Sequence, residues 1–148
     1  MAEALNRQRI LNFLDTFYSG DIEGALNWCN EDVTFIANAP VDVLPHMGSH
    51  KGKAALRAMW QTIGTRYSEM RHEITHLVAE GDKVAALIRL FFRKRKNDRI
   101  VQFDLAAFYT LHDGKISEIR EVLDSFELVQ QLLERDVAAA LAIKPGEI

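Results

Sequence analysis

The sequence predicts an α+β domain: helices packed on one face of a curved antiparallel sheet, together forming a cone. Three observations predict it. In the first half of the chain, apolar residues recur every three or four positions, the spacing of one helix face. In the second half, β-rich runs are separated by two short turn sequences, Glu80-Gly81-Asp82 and His112-Asp113-Gly114. The 148 residues are 48% hydrophobic and 26% charged, with no repeat, low-complexity stretch or Pro/Gly-rich linker. One domain, residues 1–148, is therefore expected, with a sizeable core.

The elements follow in order. Ile10, Phe13, Leu14 and Phe17 mark the buried face of a helix from Glu3 to Tyr18, stopped by Ser19-Gly20. Asp21 caps a short second helix over Ile22–Cys29, with Glu23 in its first turn. Val33–Ala37 is a short β-prone run. An irregular stretch, Asn38–Lys51, holds two of the three prolines and two of the five histidines. A third helix fits Lys53–Tyr67, with Leu56, Met59, Trp60 and Ile63 on one stripe. Four strands are expected over roughly Met70–Glu80, Val84–Arg93, Ile100–Leu111 and Ile116–Leu123. Asp124-Ser125-Phe126-Glu127 is a D-x-x-E variant of the capping box, opening a last helix over about 125–142. Its expected buried stripe is Phe126, Val129, Leu132, Leu133, Val137 and Leu141.

Composition excludes several functions. Eighteen basic against 21 acidic residues leave −3, so neither a nucleic acid nor an anionic membrane finds bulk electrostatic support. No apolar run approaches the ~18–20 residues that span a bilayer. The start, Met1-Ala2-Glu3-Ala4, lacks the apolar segment of a secretory signal. Cys29 stands alone and cannot form an intrachain disulfide. No basic partner is evident beside it, so an inert buried thiol is expected. A cytoplasmic domain held by packing is the expectation.

Three local motifs carry less than their spelling suggests. His72-Glu73-Ile74-Thr75-His76 matches H-E-x-x-H, whose zinc chemistry needs a helix that stacks the two histidines one turn apart. On a strand, four residues span about 13 Å, too far for two ligands of one ion. A strand is favoured, because the segment runs into a Gly-Asp turn and a β-rich partner. A zinc hydrolase through His72 and His76 is the remote alternative. Gly48-Ser49-His50-Lys51-Gly52-Lys53 is one spacer short of a phosphate loop and has Ala54 where Ser or Thr is needed. Arg93-Lys94-Arg95-Lys96 with Arg99 reads as a solvated hairpin tip that discourages edge pairing.

Five segments carry a family resemblance: Phe13-x3-Phe17-Tyr18; Gly20-Asp21-x2-Gly24-Ala25-Leu26; Glu31-Asp32-Val33-Thr34-Phe35; Gly52-Lys53-x2-Leu56; and Phe108-x5-Gly114-Lys115-Ile116-x3-Arg120-Glu121. In this order and spacing the chain, over about 7–133, resembles the nuclear transport factor 2-like superfamily in its SnoaL-like, ketosteroid-isomerase-like branch. The resemblance implies an apolar pocket between helices and the concave sheet face. It also implies a homodimer through the outer face, in keeping with apolar residues at both parities of Ile100–Leu111. Members include ketosteroid isomerases, epoxide hydrolases and polyketide cyclases, alongside non-catalytic domains, so fold alone does not select a reaction.

Carried over residue by residue, the last-strand aspartate of cyclases and epoxide hydrolases falls on Glu121. The Arg-x-Asp pair of the hydrolases meets Arg89-Leu90-Phe91, which keeps the arginine and loses the acid. The isomerase base falls near Ala37 or Asn38, neither of which takes a proton from carbon. The isomerase oxyanion acid falls by count on Ala106, with Asp104 on the same strand face, and Tyr18 is a candidate hydroxyl donor.

The expected catalytic residues are therefore Glu121 as proton carrier, with Asp104 or His46 assisting. An apolar setting favours a neutral carboxyl and tunes it for proton transfer near neutral pH. Tyr18, Trp60, Phe13, Phe35, Asp42 and Gln102 are expected to contact the ligand, with Phe17 and Trp28 further candidates for the wall. The expected partner is a small apolar, carbonyl-bearing or ring-containing molecule, handled by an isomerase or cyclase-like enzyme. Nothing in the chain calls for a metal or organic cofactor. A non-catalytic domain holding the same kind of ligand is the other reading, favoured by the missing family residues.

Overall fold

The structure, a computed structural model, describes residues 2–147. Its first helix, α1 (Ala2–Tyr18), buries Asn6, Ile10, Phe13, Leu14 and Tyr18, the expected face. Gly20 takes a left-handed φ of 91° and donates to the Phe17 carbonyl at 3.0 Å, closing the helix. Helix α2 (Ile22–Leu26) is capped by Asp21, whose carboxylate accepts from the Gly24 amide at 2.9 Å. It ends before Cys29, where the helix was expected to run. Cys29 opens β1 (Cys29–Ala37) instead, because the Trp28 carbonyl accepts from Ile116 and the chain pairs with the last strand.

The irregular stretch contains a short strand the sequence did not signal, β2 (Ser49–Lys51), on the edge beside β1. Helix α3 (Lys53–Arg66) starts at Gly52, whose φ of 88° makes the turn, and Lys53 pairs with Glu31 at 3.5 Å. The strand β3 (Tyr67–Glu80) follows α3 without a loop and pairs with β4 (Lys83–Lys94) along its length. Strands β5 (Ile100–His112) and β6 (Lys115–Leu123) complete the hairpins. Between them Asp113 and Gly114 both have positive φ, 50° and 77°, as a two-residue hairpin turn requires.

These six strands make one sheet in the order β2-β1-β6-β5-β4-β3. Every pair is antiparallel except β1–β6, which is parallel, so the expectation of a purely antiparallel sheet is corrected at that seam. The intervening helix and hairpins return the chain to β1 in the same direction. Val84, Ala86, Ile88, Leu90 and Phe92 of β4 face the core, with Leu105, Ala107 and Tyr109 of β5. The curved sheet and the helices over it form an α+β fold.

His72 and His76 both lie on β3, as favoured. A bulge between Ile74 and His76 shifts the register, and the two rings do different things. His72 stacks on Tyr18 and sits 3.4 Å from Asp15, whereas His76 is exposed against Thr75.

Two expectations about the C-terminal part fail. The last helix is broken into α4 (Ser125–Leu133) and α5 (Val137–Ala140) at Glu134, which has a left-handed φ of 55°. The Glu134 carboxylate is held by Lys94 at 2.6 Å, Asn97 at 2.6 Å and Arg99 at 3.1 Å, and Asp136 starts a new cap. The expected stripe is buried only in part, with Val129 and Val137 half-buried. Leu128 is buried and Leu132 half-buried, while Phe126, Leu133 and Leu141 are exposed. The basic hairpin tip is likewise no mere solvated edge. Lys94 is buried and caps the α4 carbonyls of Gln131 and Leu132, and Arg95 donates to Gly64. No helix among the described residues is long and apolar enough to cross a membrane.

Candidate functional site

The cone encloses a cavity of about 80 Å³. Its walls are built from four directions. Helix α1 contributes Phe13, Phe17 and Tyr18; α3 contributes Met59, Trp60 and Ile63; the sheet contributes Leu90, Tyr109 and Glu121 among others. Leu44, His46 and Met47 of the loop after β1, with Leu128 and Leu132 of α4, close the remaining sides.

Glu121 is the cavity's carboxyl. Strand parity sends it inward with Ile119 and Leu123, and the ladder to Ala37 on one side and Ala107 on the other fixes its backbone. Asn38 extends that ladder beyond the end of β1. Its backbone amide donates to the Glu121 carbonyl at 3.4 Å. Its side chain donates to the Leu123 carbonyl at 3.1 Å and accepts from the Leu123 amide at 3.0 Å. The residue at the expected isomerase-base position thus holds the strand that carries Glu121.

No hydrogen bond or ion pair reaches the Glu121 carboxyl among the described residues. Burial alone pushes it up to about 7 from an ordinary 4.5. Two tyrosine hydroxyls, Tyr18 and Tyr109, open on the same space without a partner. Both are pushed well above the usual phenol range, first by burial and then by the Glu121 charge. His46 lies at the loop side with its Nδ1 enclosed and unpartnered. Burial, and then Arg66 and His50, lower its pKa, which favours the neutral ring at pH 7. An apolar cavity with one exchangeable carboxyl, two phenols and a neutral imidazole can move a proton and hold an oxygen.

The structure brings together Glu121, His46, Tyr18, Trp60, Phe13 and Phe35. Others fall outside. Asp104 points to the outer sheet face, where its carboxylate pairs with Arg89 at 3.0 Å, so its expected place in the pocket is corrected. Gln102 shares that outward parity, and its backbone binds the Gln131 side chain through two hydrogen bonds. Asp42 is exposed on the loop, and Trp28 packs on the core away from the cavity. Arg89 and Ala106 also face outward, so neither the hydrolase arginine nor the isomerase acid position reaches the cavity. Tyr109, Tyr67, Phe92 and Phe103 are wall residues the sequence reading missed. The available signal was the run Leu105, Ala107, Tyr109, Leu111 at period two, obscured by apolar residues at the other parity.

Known proteins place this architecture. Residues 10–119 match the SnoaL-like domain. A provisionally named isomerase from Rhodopseudomonas palustris superposes with a TM-score of 0.80 at 22% identity, covering 86% of this chain and 97% of its own. TerC, co-crystallised with polyporic acid, gives 0.78 at 21% identity, with 88% and 99% covered. An epoxide hydrolase of M. tuberculosis, described as LEH-like, gives 0.75 at 15%, with 96% and 99% covered. At these identities the likeness is one of fold. No curated protein matches the sequence significantly. With a family match over most of its length and the cone that family builds, the chain belongs to the SnoaL-like domain family.

Proposed function

We propose that this protein is a proton-transfer enzyme, isomerase- or cyclase-like, acting on a small apolar molecule with a ring and a carbonyl. The observation that carries this reading is the unpartnered Glu121 carboxyl, half-buried on the wall of an apolar cavity and raised to about 7. Near neutral pH both of its forms are populated, as a residue that must take and return a proton requires. The carboxylate removes a proton from carbon beside the carbonyl, the C–H electrons form the enolate double bond, and the protonated carboxyl returns the proton to a second position. Tyr18 and Tyr109 donate hydrogen bonds to the enolate oxygen, and neutral His46 is a second proton carrier on the facing loop. Co-crystallisation of TerC, a protein of this fold, with polyporic acid supports a ligand-holding cone.

The outer sheet face supports a homodimer. Register sets Leu87 beside Ala106, Ala106 beside Val122 and Phe108 beside Ala85, with Leu87, Phe108 and Val122 exposed. Such a contiguous apolar surface is suited to cover by a second copy.

Deuterium exchange tests the reaction without a known substrate. The protein is incubated in D₂O with small cyclic ketones, and label beside the carbonyl is followed by mass spectrometry. Acceleration by the wild type that Glu121→Gln lowers about 100-fold or more supports the reading. Ligand binding without exchange supports the non-catalytic alternative.

A further inference from the structure

Among the described residues Glu121 is the sole carboxyl on the cavity wall, and no lysine or arginine shares that wall. An ionised carboxylate there has no compensating group in the protein, and an uncompensated buried charge is costly. A ligand can supply the compensation. A cluster of aromatic rings lines the same cavity: Phe13 contacts Phe17, Trp60 and Tyr109 at ring-centroid distances of 6.1, 6.1 and 5.9 Å, and Phe17 contacts Tyr18 at 4.9 Å. Aromatic faces attract cations through the ring quadrupole. The unpartnered phenol oxygens of Tyr18 and Tyr109 accept hydrogen bonds as readily as they donate them. The same composition disfavours an anion, which would meet no cation and one acidic group.

We propose that the cavity is also a receptor for an apolar amine in its protonated form, with the ammonium against the Glu121 carboxylate and the aromatic wall, in preference to a neutral or anionic molecule of the same shape. This goes beyond the proton-transfer reading, though it rests on the same cavity, the same exchangeable carboxyl and the same two tyrosine hydroxyls. The ammonium takes the place of the Glu121 proton, so binding at and below neutral pH releases that proton. The other titratable groups facing the cavity are Tyr18, Tyr67, Tyr109 and His46. Burial raises the three phenols and lowers the imidazole, so all four are neutral where Glu121 ionises.

Benzylamine, benzyl alcohol and benzoate carry one ring with a cationic, neutral or anionic head. Their affinities for the full chain, wild type and Glu121→Gln, are measured by calorimetry at about pH 6 and about pH 8. With Glu121 titrating at about 7, its ionised fraction rises about tenfold over that interval. Benzylamine is expected to tighten about tenfold, to exceed benzyl alcohol about tenfold at the higher pH, and to leave benzoate unbound. Proton release, read from the dependence of heat on buffer ionisation, needs only the wild type and stands even if the variant folds poorly. Glu121→Gln is expected to abolish the amine preference and leave benzyl alcohol unchanged. Benzylamine binding no tighter than benzyl alcohol at about pH 8, including no binding of either, overturns the inference, as does a preference that survives in Glu121→Gln. A direct NMR titration of the Glu121 carboxyl separates the two readings. If it titrates near neutrality while amines fail, only the amine site is lost; if it titrates like an ordinary carboxyl, both fall.

Discussion

Stability should fall as pH rises through the window in which Glu121 ionises. The unfolded chain releases this proton at an ordinary 4.5, whereas burial holds it in the folded protein to about 7. Between those values this carboxyl binds more protons in the folded state than in the unfolded one, so its contribution to the unfolding free energy declines with rising pH. Below about pH 4 both states are protonated and the cavity costs nothing on this account. Above about pH 8 the whole penalty is present, about 3 kcal/mol for the displacement at 1.36 kcal/mol per pKa unit. That is a large share of the ~5–15 kcal/mol by which domains are stable. The assay is urea unfolding of wild type and Glu121→Gln at a series of pH values from about 5 to 8.5. Glutamine does not titrate, so the difference between the two proteins isolates the carboxyl. His46 and His72, lowered by burial, act with the opposite sign because folding favours their neutral rings as pH rises. They are present in both proteins and cancel. Glu134, held down to about 2 by Lys94, Asn97 and Arg99, loses its contribution only in acid below this window. Part of the penalty is already present at pH 5, so glutamine should gain on glutamate by about 2.5 kcal/mol from pH 5 to 8.5. A difference that stays flat across the series would refute the reasoning.

Three further outcomes follow from the same geometry. Asn38→Ala removes two side-chain hydrogen bonds to Leu123 and should cost about 1–3 kcal/mol, measured by urea unfolding. It should also move the Glu121 titration in NMR toward the ordinary carboxyl value as water reaches the loosened strand end, which an equally destabilising core change far from β6 should not do. Lys94→Met keeps the apolar stem but releases Glu134 and the last α4 carbonyls. Amide exchange over 125–133 should quicken about tenfold or more while β4 and β5 remain protected; unchanged exchange would mean Leu128 and Leu132 alone hold the helix. Phe108→Glu places a charge within the outer apolar patch and should convert a dimer to monomer in light scattering. A wild type already monomeric would remove the dimer proposal.

How much was readable depended on whether one face of an element was unambiguously polar. Helix α1 announced itself because Ile10, Phe13, Leu14 and Phe17 stand against Arg7, Arg9, Asn12 and Asp15. The β5–β6 hairpin was legible because Asp-Gly has a strong local preference for its left-handed turn. Strand β5 was not, since Leu105, Ala106, Ala107 and Phe108 are apolar on both faces and hide the parity. That ambiguity hides the outward orientation of Asp104 and Gln102 and the inward one of Tyr109. Period-two geometry makes a one-residue uncertainty decisive, since it exchanges the wall of the cavity for the outside of the sheet. Helix α4 was misread for a different reason. Its break is set by Lys94 and Arg99, about forty positions earlier, and no local propensity reports such a partner. The parallel β1–β6 seam is equally non-local.

The distribution of satisfied groups separates the site from the scaffold more sharply than family likeness does. Outside the cavity, charged groups that lie near one another are paired: Arg57 with Glu23 at 2.6 Å, Arg89 with Asp104 at 3.0 Å, Lys94 with Glu134 at 2.6 Å. Even Asn38, at a position where this kind of fold can hold a base, spends its side chain on backbone. Inside, the Glu121 carboxyl, the Tyr18 and Tyr109 hydroxyls and His46 Nδ1 have no partner among the described residues. Folding alone would favour leucine or phenylalanine at these places, because an unpaired buried polar group opposes stability. Polar groups left open toward one small cavity are the arrangement expected when the missing partner is a ligand, and when the free energy withheld from folding is recovered on binding it.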